Sequence, residues 1–156
     1  MAIASVFVNT HTIKLAQLAA DNLTAGKTPA NMKLSYFQVG EGAFQVVDGY
    51  KVPIAPSATA TALDATGANG KFRYQKSLSP SDISDDGAGT LTVVCKLTST
   101  ESGLDGQGLV NPPNPELFEV GVFDADNDLV LYGTYDQVVK TAGTEVVLTL
   151  ISRYGS

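Results

Sequence analysis

Asp124, Asp126 and Asp128 stand at alternate positions in Glu119-Val120-Gly121-Val122-Phe123-Asp124-Ala125-Asp126-Asn127-Asp128-Leu129-Val130-Leu131-Tyr132. That spacing offers a hard cation the oxygen ligands it needs. An EF-hand loop opening at Asp124 would want Gly at its sixth position and a bidentate Glu at its twelfth. Leu129 and Tyr135 stand there instead, and strands rather than helices flank the loop. The stretch is therefore read as a polar hairpin turn, since Asp and Asn tolerate turn backbone angles. A calcium titration that shifts the melting temperature would reverse this reading. Asp82, Asp85 and Asp86 form a second acidic cluster. Paired carboxylates serve glycoside hydrolysis only when burial perturbs one of them, and a Gly-rich, solvated loop offers no such setting.

His11 is the single histidine, and Cys95 the single cysteine. A base–nucleophile pair requires Ser, Cys or Asp beside the imidazole in space; His11, near the start of a helix, is read as structural. Cys95 alternates with apolar neighbours in Leu91-Thr92-Val93-Val94-Cys95-Lys96-Leu97 and is read as a small buried hydrophobe. Gly40-Glu41-Gly42 is too short for a phosphate-binding fingerprint. Zinc-ligand spacing is absent from the sequence. No catalytic, cofactor or metal residue is assigned, and the chain is read as a non-enzyme.

Composition narrows the classes further. A length of 156 residues suits one domain spanning residues 1–156. Hydrophobic residues make up 44%, too many for general disorder. The formal charge is −6, and no Lys/Arg cluster is available to displace counterions from a nucleic acid, so no nucleic-acid partner is expected. The start, Met1-Ala2-Ile3-Ala4-Ser5-Val6-Phe7-Val8-Asn9, has no basic leader, and no stretch has transmembrane length, so cytoplasmic synthesis and no membrane insertion are expected.

The positioning elements are read from periodicity. Residues 9–23 predict a helix capped by Asn9, Thr10 or Thr12, with Ile13, Ala16, Ala20 and Leu23 on its apolar face. Residues 32–39, 43–47, 71–78, 91–98, 117–123, 129–135 and 144–154 predict strands, and Asp48-Gly49 predicts a turn. From 52 to 70, Pro53 and Pro56 oppose regular pairing, although 58–63 allows a short helix. Residues 79–90 predict a loop. Gly121, inside its strand, marks a bulge or a close backbone approach. Apolar groups on both faces of the last strand place it inside a sheet or between layers. The expected fold is α+β: a mainly antiparallel sheet of about seven strands, one N-terminal helix packed on it, and long loops. Residues 99–115, rich in Gly and Pro, predict an arm that orders on contact, with Gly103, Leu104, Gly106, Leu109, Val110, Pro112 and Pro113 as the assembly interface.

Three segments together resemble the N-terminal domain of contractile-phage tail-collar fibre proteins, which joins a tail fibre to the baseplate. Tyr36-Phe37-Gln38-Val39-Gly40-Glu41-Gly42 is similar to that family's apolar strand ending in Val-Gly-Asp-Gly. Glu119-Val120-Gly121-Val122-Phe123-Asp124 is close to its Glu-Val-Gly-Leu-Phe-Asp. Leu129-Val130-Leu131-Tyr132-Gly133-Thr134-Tyr135, with Lys140 and a closing strand after it, is similar to the family's strand beyond the turn. The chain departs from the family where Asn127-Asp128 replaces a usual Gly, and where Asp136-Gln137-Val138-Val139 replaces a proline-rich segment. Family members often continue into a shaft, and this chain ends just after the last strand. The resemblance implies a structural virion protein, a baseplate, collar or tail-fibre connector that docks other tail subunits and forms a homotrimer. It also implies location in the virion tail and assembly in the host bacterial cytoplasm; no cofactor is expected, since no metal set or nucleotide loop is visible. The alternative is a carbohydrate- or receptor-binding tail module, for which exposed aromatics near Tyr132, Tyr135 and Tyr154 would speak.

Overall fold

The computed structural model describes residues 2–20, 30–66, 69–99, 114–141 and 143–154. They form α+β architecture: one α-helix, α1 (Asn9–Ala19), and ten strands. These are β1 (Ala2–Phe7), β2 (Leu34–Gly40), β3 (Phe44–Val47), β4 (Tyr50–Pro53), β5 (Arg73–Ser77), β6 (Ile83–Asp85), β7 (Thr90–Leu97), β8 (Glu116–Asp124), β9 (Leu129–Val139) and β10 (Val146–Arg153). Eight strands make one sheet in the order β5-β2-β8-β9-β1-β10-β7-β6, and β3 and β4 form a separate hairpin.

β1 joins the two halves of the large sheet. Its first residues pair parallel with β10 (Ile3 opposite Leu150), and its last pair antiparallel with β9 (Val6 opposite Tyr132). Every other pairing among the described residues is antiparallel. The halves fold toward one another: Phe37, Val39, Val120, Val122 and Leu131 from one share a core with Val93, Cys95, Leu97, Leu148 and Leu150 from the other. Lys76 on β5 closes the far side by donating to the Lys96 carbonyl on β7 at 2.9 Å. A smaller core lies on the outer face of β8 and β9, where Val8, Ala43, Leu63, Phe123, Leu129 and Tyr132 pack together.

The antiparallel sheet with a single helix agrees with the sequence, but several elements correct it. β1 forms where the sequence predicts no strand, because its backbone is recruited by two distant strands rather than by local signals. β4 includes Pro53: proline is tolerated in a two-stranded ribbon where its missing N–H is not needed. Residues 58–63 form turns and bends, not a helix. The loop at 79–90 contains a 3-10 turn (Pro80–Asp82) and β6, which Asp82 helps start by accepting hydrogen bonds from the Ser79 N–H and hydroxyl. In α1 the N-cap is Val8, with no side-chain cap; the Asn9 N–H donates instead to the Ala58 carbonyl at 2.8 Å. The expected apolar face is also displaced: Ile13 is 57% exposed, while His11 and Lys14 are buried. Residues three apart share a helix face, and the attraction that turns this one inward is electrostatic. Leu23 lies outside the described residues.

Candidate functional site: buried charge clusters and an apolar hairpin

The acidic turn after β8 carries its own cation. Lys14 on α1 lies 2.7 Å from Asp124, 3.3 Å from Asp126 and 2.6 Å from Asp128. Its side chain is 3% exposed and that of Asp124 is 0% exposed. Burial pulls the Lys14 ammonium toward neutrality, but hydrogen bonds to Asp124 and Asp128 outweigh it and hold the group above its ordinary range. The other Asp124 oxygen accepts the backbone N–H groups of Asp126 (2.9 Å) and Asp128 (3.1 Å). Asn127 sits at φ 66°, as a hairpin turn requires. The hairpin reading therefore holds, with an addition that the sequence does not announce: the alternating carboxylates converge on a lysine 110 residues away in the chain. The ammonium occupies the position at which the three carboxylates meet.

Glu119 forms a second buried node. One carboxylate oxygen accepts the Ala65 N–H at 2.7 Å; the other accepts the Asp64 N–H at 2.8 Å and the Tyr132 hydroxyl at 2.6 Å. Tyr135 donates to the Glu119 carbonyl at 3.1 Å. Burial raises the Glu119 pKa despite those three donors, and it raises that of Tyr132 as well. Glycines form the floor on which the 63–65 segment rests. A Cβ on Gly42 would stand 2.6 Å from the Ala65 nitrogen and from Glu119 Oε1, and one on Gly121 would stand 2.6 Å from a Leu63 methyl. Of the two alternatives expected at Gly121, a register shift lies beside it between Val122 and Phe123, and the close approach is made by the Leu63 and Leu129 side chains rather than by another backbone. Glu41 ties the same corner to β8 by accepting the Glu116 N–H at 2.9 Å.

The remaining reactive side chains are also engaged or sequestered. His11 shares a 3.0 Å hydrogen bond between Nε2 and the Tyr154 hydroxyl and stacks on Phe7; burial lowers its pKa. Cys95 is fully buried, which raises its thiol pKa. Asp82, Asp85 and Asp86 lie on the surface loop, where they accept local N–H groups. Tyr132 and Tyr135 are buried, and Tyr154 lies against Phe7 with ring centroids 4.1 Å apart. The predicted interface residues Gly103, Leu104, Gly106, Leu109, Val110, Pro112 and Pro113 lie outside the described residues.

Exposed apolar surface gathers elsewhere. On the β3–β4 hairpin, Tyr50 is 76% and Val46 65% exposed, with Val47, Val52 and Ile54 also bare. The turn is Asp48-Gly49, with both residues at positive φ, a combination that fits a tight two-residue hairpin. The base of the hairpin is anchored by Phe44 against Phe118 at 4.9 Å and by an ion pair between Lys51 and Glu116. The sequence carries the strand β3 and the turn, but not the exposure: alternation of Gln and Val looks the same whether or not a layer covers it. No protein family, curated protein or solved structure matches this chain.

Proposed function

We propose that the chain is a structural protein of a bacteriophage tail, a baseplate, collar or tail-fibre connector that docks other tail subunits by protein–protein contacts and does not act as an enzyme. One observation supports this best: the segments that carry the resemblance build the two buried nodes of the scaffold. Val39–Gly42, Glu119–Asp124 and Leu129–Tyr135 supply the glycine floor, the Glu119 carboxylate, the Asp124 clamp and the Tyr132 hydroxyl. Their side chains are spent on holding loop 63–65 and α1 in place, as a framework for presenting surfaces requires. The β3–β4 hairpin leaves apolar side chains in solvent, which is what a docking protein offers. The resemblance further implies three copies around an axis and a place in the virion tail.

The test is localisation in purified particles by antibody labelling and by a density map of the tail. Density for this fold at the baseplate or fibre junction is expected; finding the chain on a host surface and never in a particle would overturn the reading. Carbohydrate recognition is the second reading: of the three tyrosines that would speak for it, Tyr132 and Tyr135 are buried and Tyr154 is exposed. A glycan array discriminates between the two.

A further inference from the structure

We propose that β3 is a docking edge for a second copy of this chain, the two β3 strands pairing antiparallel across a two-fold axis to make a continuous four-stranded sheet, β4-β3-β3-β4. The inference concerns how copies meet. It does not depend on the tail reading, and a particle map that misplaced the chain would leave it standing.

The first argument is the backbone. The Ile54 N–H donates to the Ala43 carbonyl, and Phe44 lies opposite Pro53. Antiparallel alternation then turns the backbone groups of Gln45 and Val47 toward β4 and those of Phe44 and Val46 outward. Among the described residues, no hydrogen-bond partner meets the outward N–H and C=O groups of Phe44 and Val46.

The second argument is the contrast with the other sheet edges, each of which is guarded. β5 carries Arg73 and Lys76. β6 is three residues long and ends in Asp85. β4 carries Lys51 and Pro53 and lies against β9. Short length, charge and proline are the usual devices that stop edges from pairing. β3, Phe-Gln-Val-Val, is short as well, at four residues, but carries neither a charge nor a proline.

The third argument identifies the occupant. The net charge of −6 opposes self-association in general, yet Gly42-Ala43-Phe44-Gln45-Val46-Val47 itself contains no ionised group; the nearest ammonium groups, Lys51 and Lys71, lie over the Phe44 ring at 5.1 and 5.4 Å, each with a carboxylate partner. A two-fold contact uses the same patch on both partners. Centred on Gln45, it sets Phe44 opposite the other copy's Val46 twice, an aromatic–β-branched pairing that stabilises sheets. Gln45 then faces its own copy on the axis, where the two amides can hydrogen-bond, and Asp48 falls opposite Gly42 rather than another acid. A four-residue edge is short for a specific interface, which typically buries at least about 1,000 Å², so weak, concentration-dependent association is expected. Combined with three-fold assembly, the same contact would join two trimers.

Sedimentation of the purified chain across a concentration series tests this. Reversible association into an even number of chains is expected, with Val46→Pro and Val46→Lys each weakening it at least tenfold while circular dichroism and melting temperature are kept. Proline at position 46 removes an outward donor only, and lysine adds the missing guard at an exposed side chain. Gln45→Cys should form a covalent dimer on mild oxidation, because the pair on the axis is a close, non-hydrogen-bonded one; Val52→Cys should not. A strict monomer, an odd-numbered assembly, an association indifferent to both Val46 variants, or no cross-link at position 45 would each overturn the proposal.

Discussion

The outer face of β8 and the β3–β4 hairpin invert the usual rule in opposite directions. Around β8 a lysine, a glutamate and an aspartate are buried. On the hairpin, valines and a tyrosine stand in solvent. The buried charges are tolerated because each has partners: three carboxylates for one ammonium, three donors for one carboxylate. The bare valines have no such compensation among the described residues. Internal satisfaction marks the first region as scaffold, and its lack marks the second as surface held in reserve. Substitutions that empty the first region should therefore unfold the protein, and those that make the second polar should leave the fold alone.

The largest effect is expected at Lys14. Lys14→Met keeps the length of the stem and removes the ammonium, leaving the buried Asp124 carboxylate without the cation 2.7 Å from it. Breaking a buried ion cluster from one side costs about 3–5 kcal/mol, which in a chain of this size lowers the melting temperature by roughly 10–15 °C. Calorimetry of the variant checks this. A loss below about 1 kcal/mol, the range of a surface pair, would mean that the cluster is not structural, and the contrast between the two regions would weaken.

Glu119→Gln is the next. The amide keeps one acceptor but turns a donor toward the Asp64 and Ala65 N–H groups or the Tyr132 hydroxyl, at a cost of about 1–3 kcal/mol. Its pH dependence sharpens the test. Burial raises the Glu119 pKa above its ordinary 4.5, so between that value and the folded-state pKa the native protein binds more protons than the unfolded chain. Stability from this group is fully present below the unfolded value and is lost as pH rises through the folded one. The advantage of the wild type over Glu119→Gln should therefore be greatest at the acid end of that window and shrink above it. Urea melts at a series of pH values measure the difference; an advantage that grew with pH would show that the three donors, not burial, dominate.

The sequence displayed one of these regions better than the other, for a physical reason. β7 and β10 are visible because alternation of apolar residues reports a buried face, and β2 and β8 because near-continuous β-favouring bulk reports burial on both faces. The turn at Asp124–Asp128 is visible through local backbone preference. Its cation is not, since Lys14 comes from a helix far away in sequence, and charge on a predicted helix reads by default as solvent-facing. The same default misplaces the apolar face of α1 and leaves Ile13 exposed. β1 escapes notice because its pairing is shared between two strands, one of them parallel. Gly121, with Glu119 two residues before it on β8, carries a usable local signal: a glycine and an acid inside an apolar strand imply that something packs closely there and supplies donors.

The smallest expected change is the one that defines the hairpin. Tyr50→Ser removes the most exposed large apolar side chain among the described residues, at 76% exposure. Its cross-strand partner is Val47, itself 45% exposed, so little buried area is lost. Surface substitutions of this kind stay within about 0.5 kcal/mol, and a cross-strand pair adds at most a further few tenths to about 1 kcal/mol. The melting temperature should thus hold within a few degrees, while binding of a hydrophobic dye and turbidity at high concentration both fall. A loss of about 2 kcal/mol or more, beyond the surface range, would show that the hairpin is held down by Tyr50 as part of the core, and the two regions would no longer be opposites. An unchanged fold with less apolar surface is the result that separates a residue kept for contact from one kept for stability.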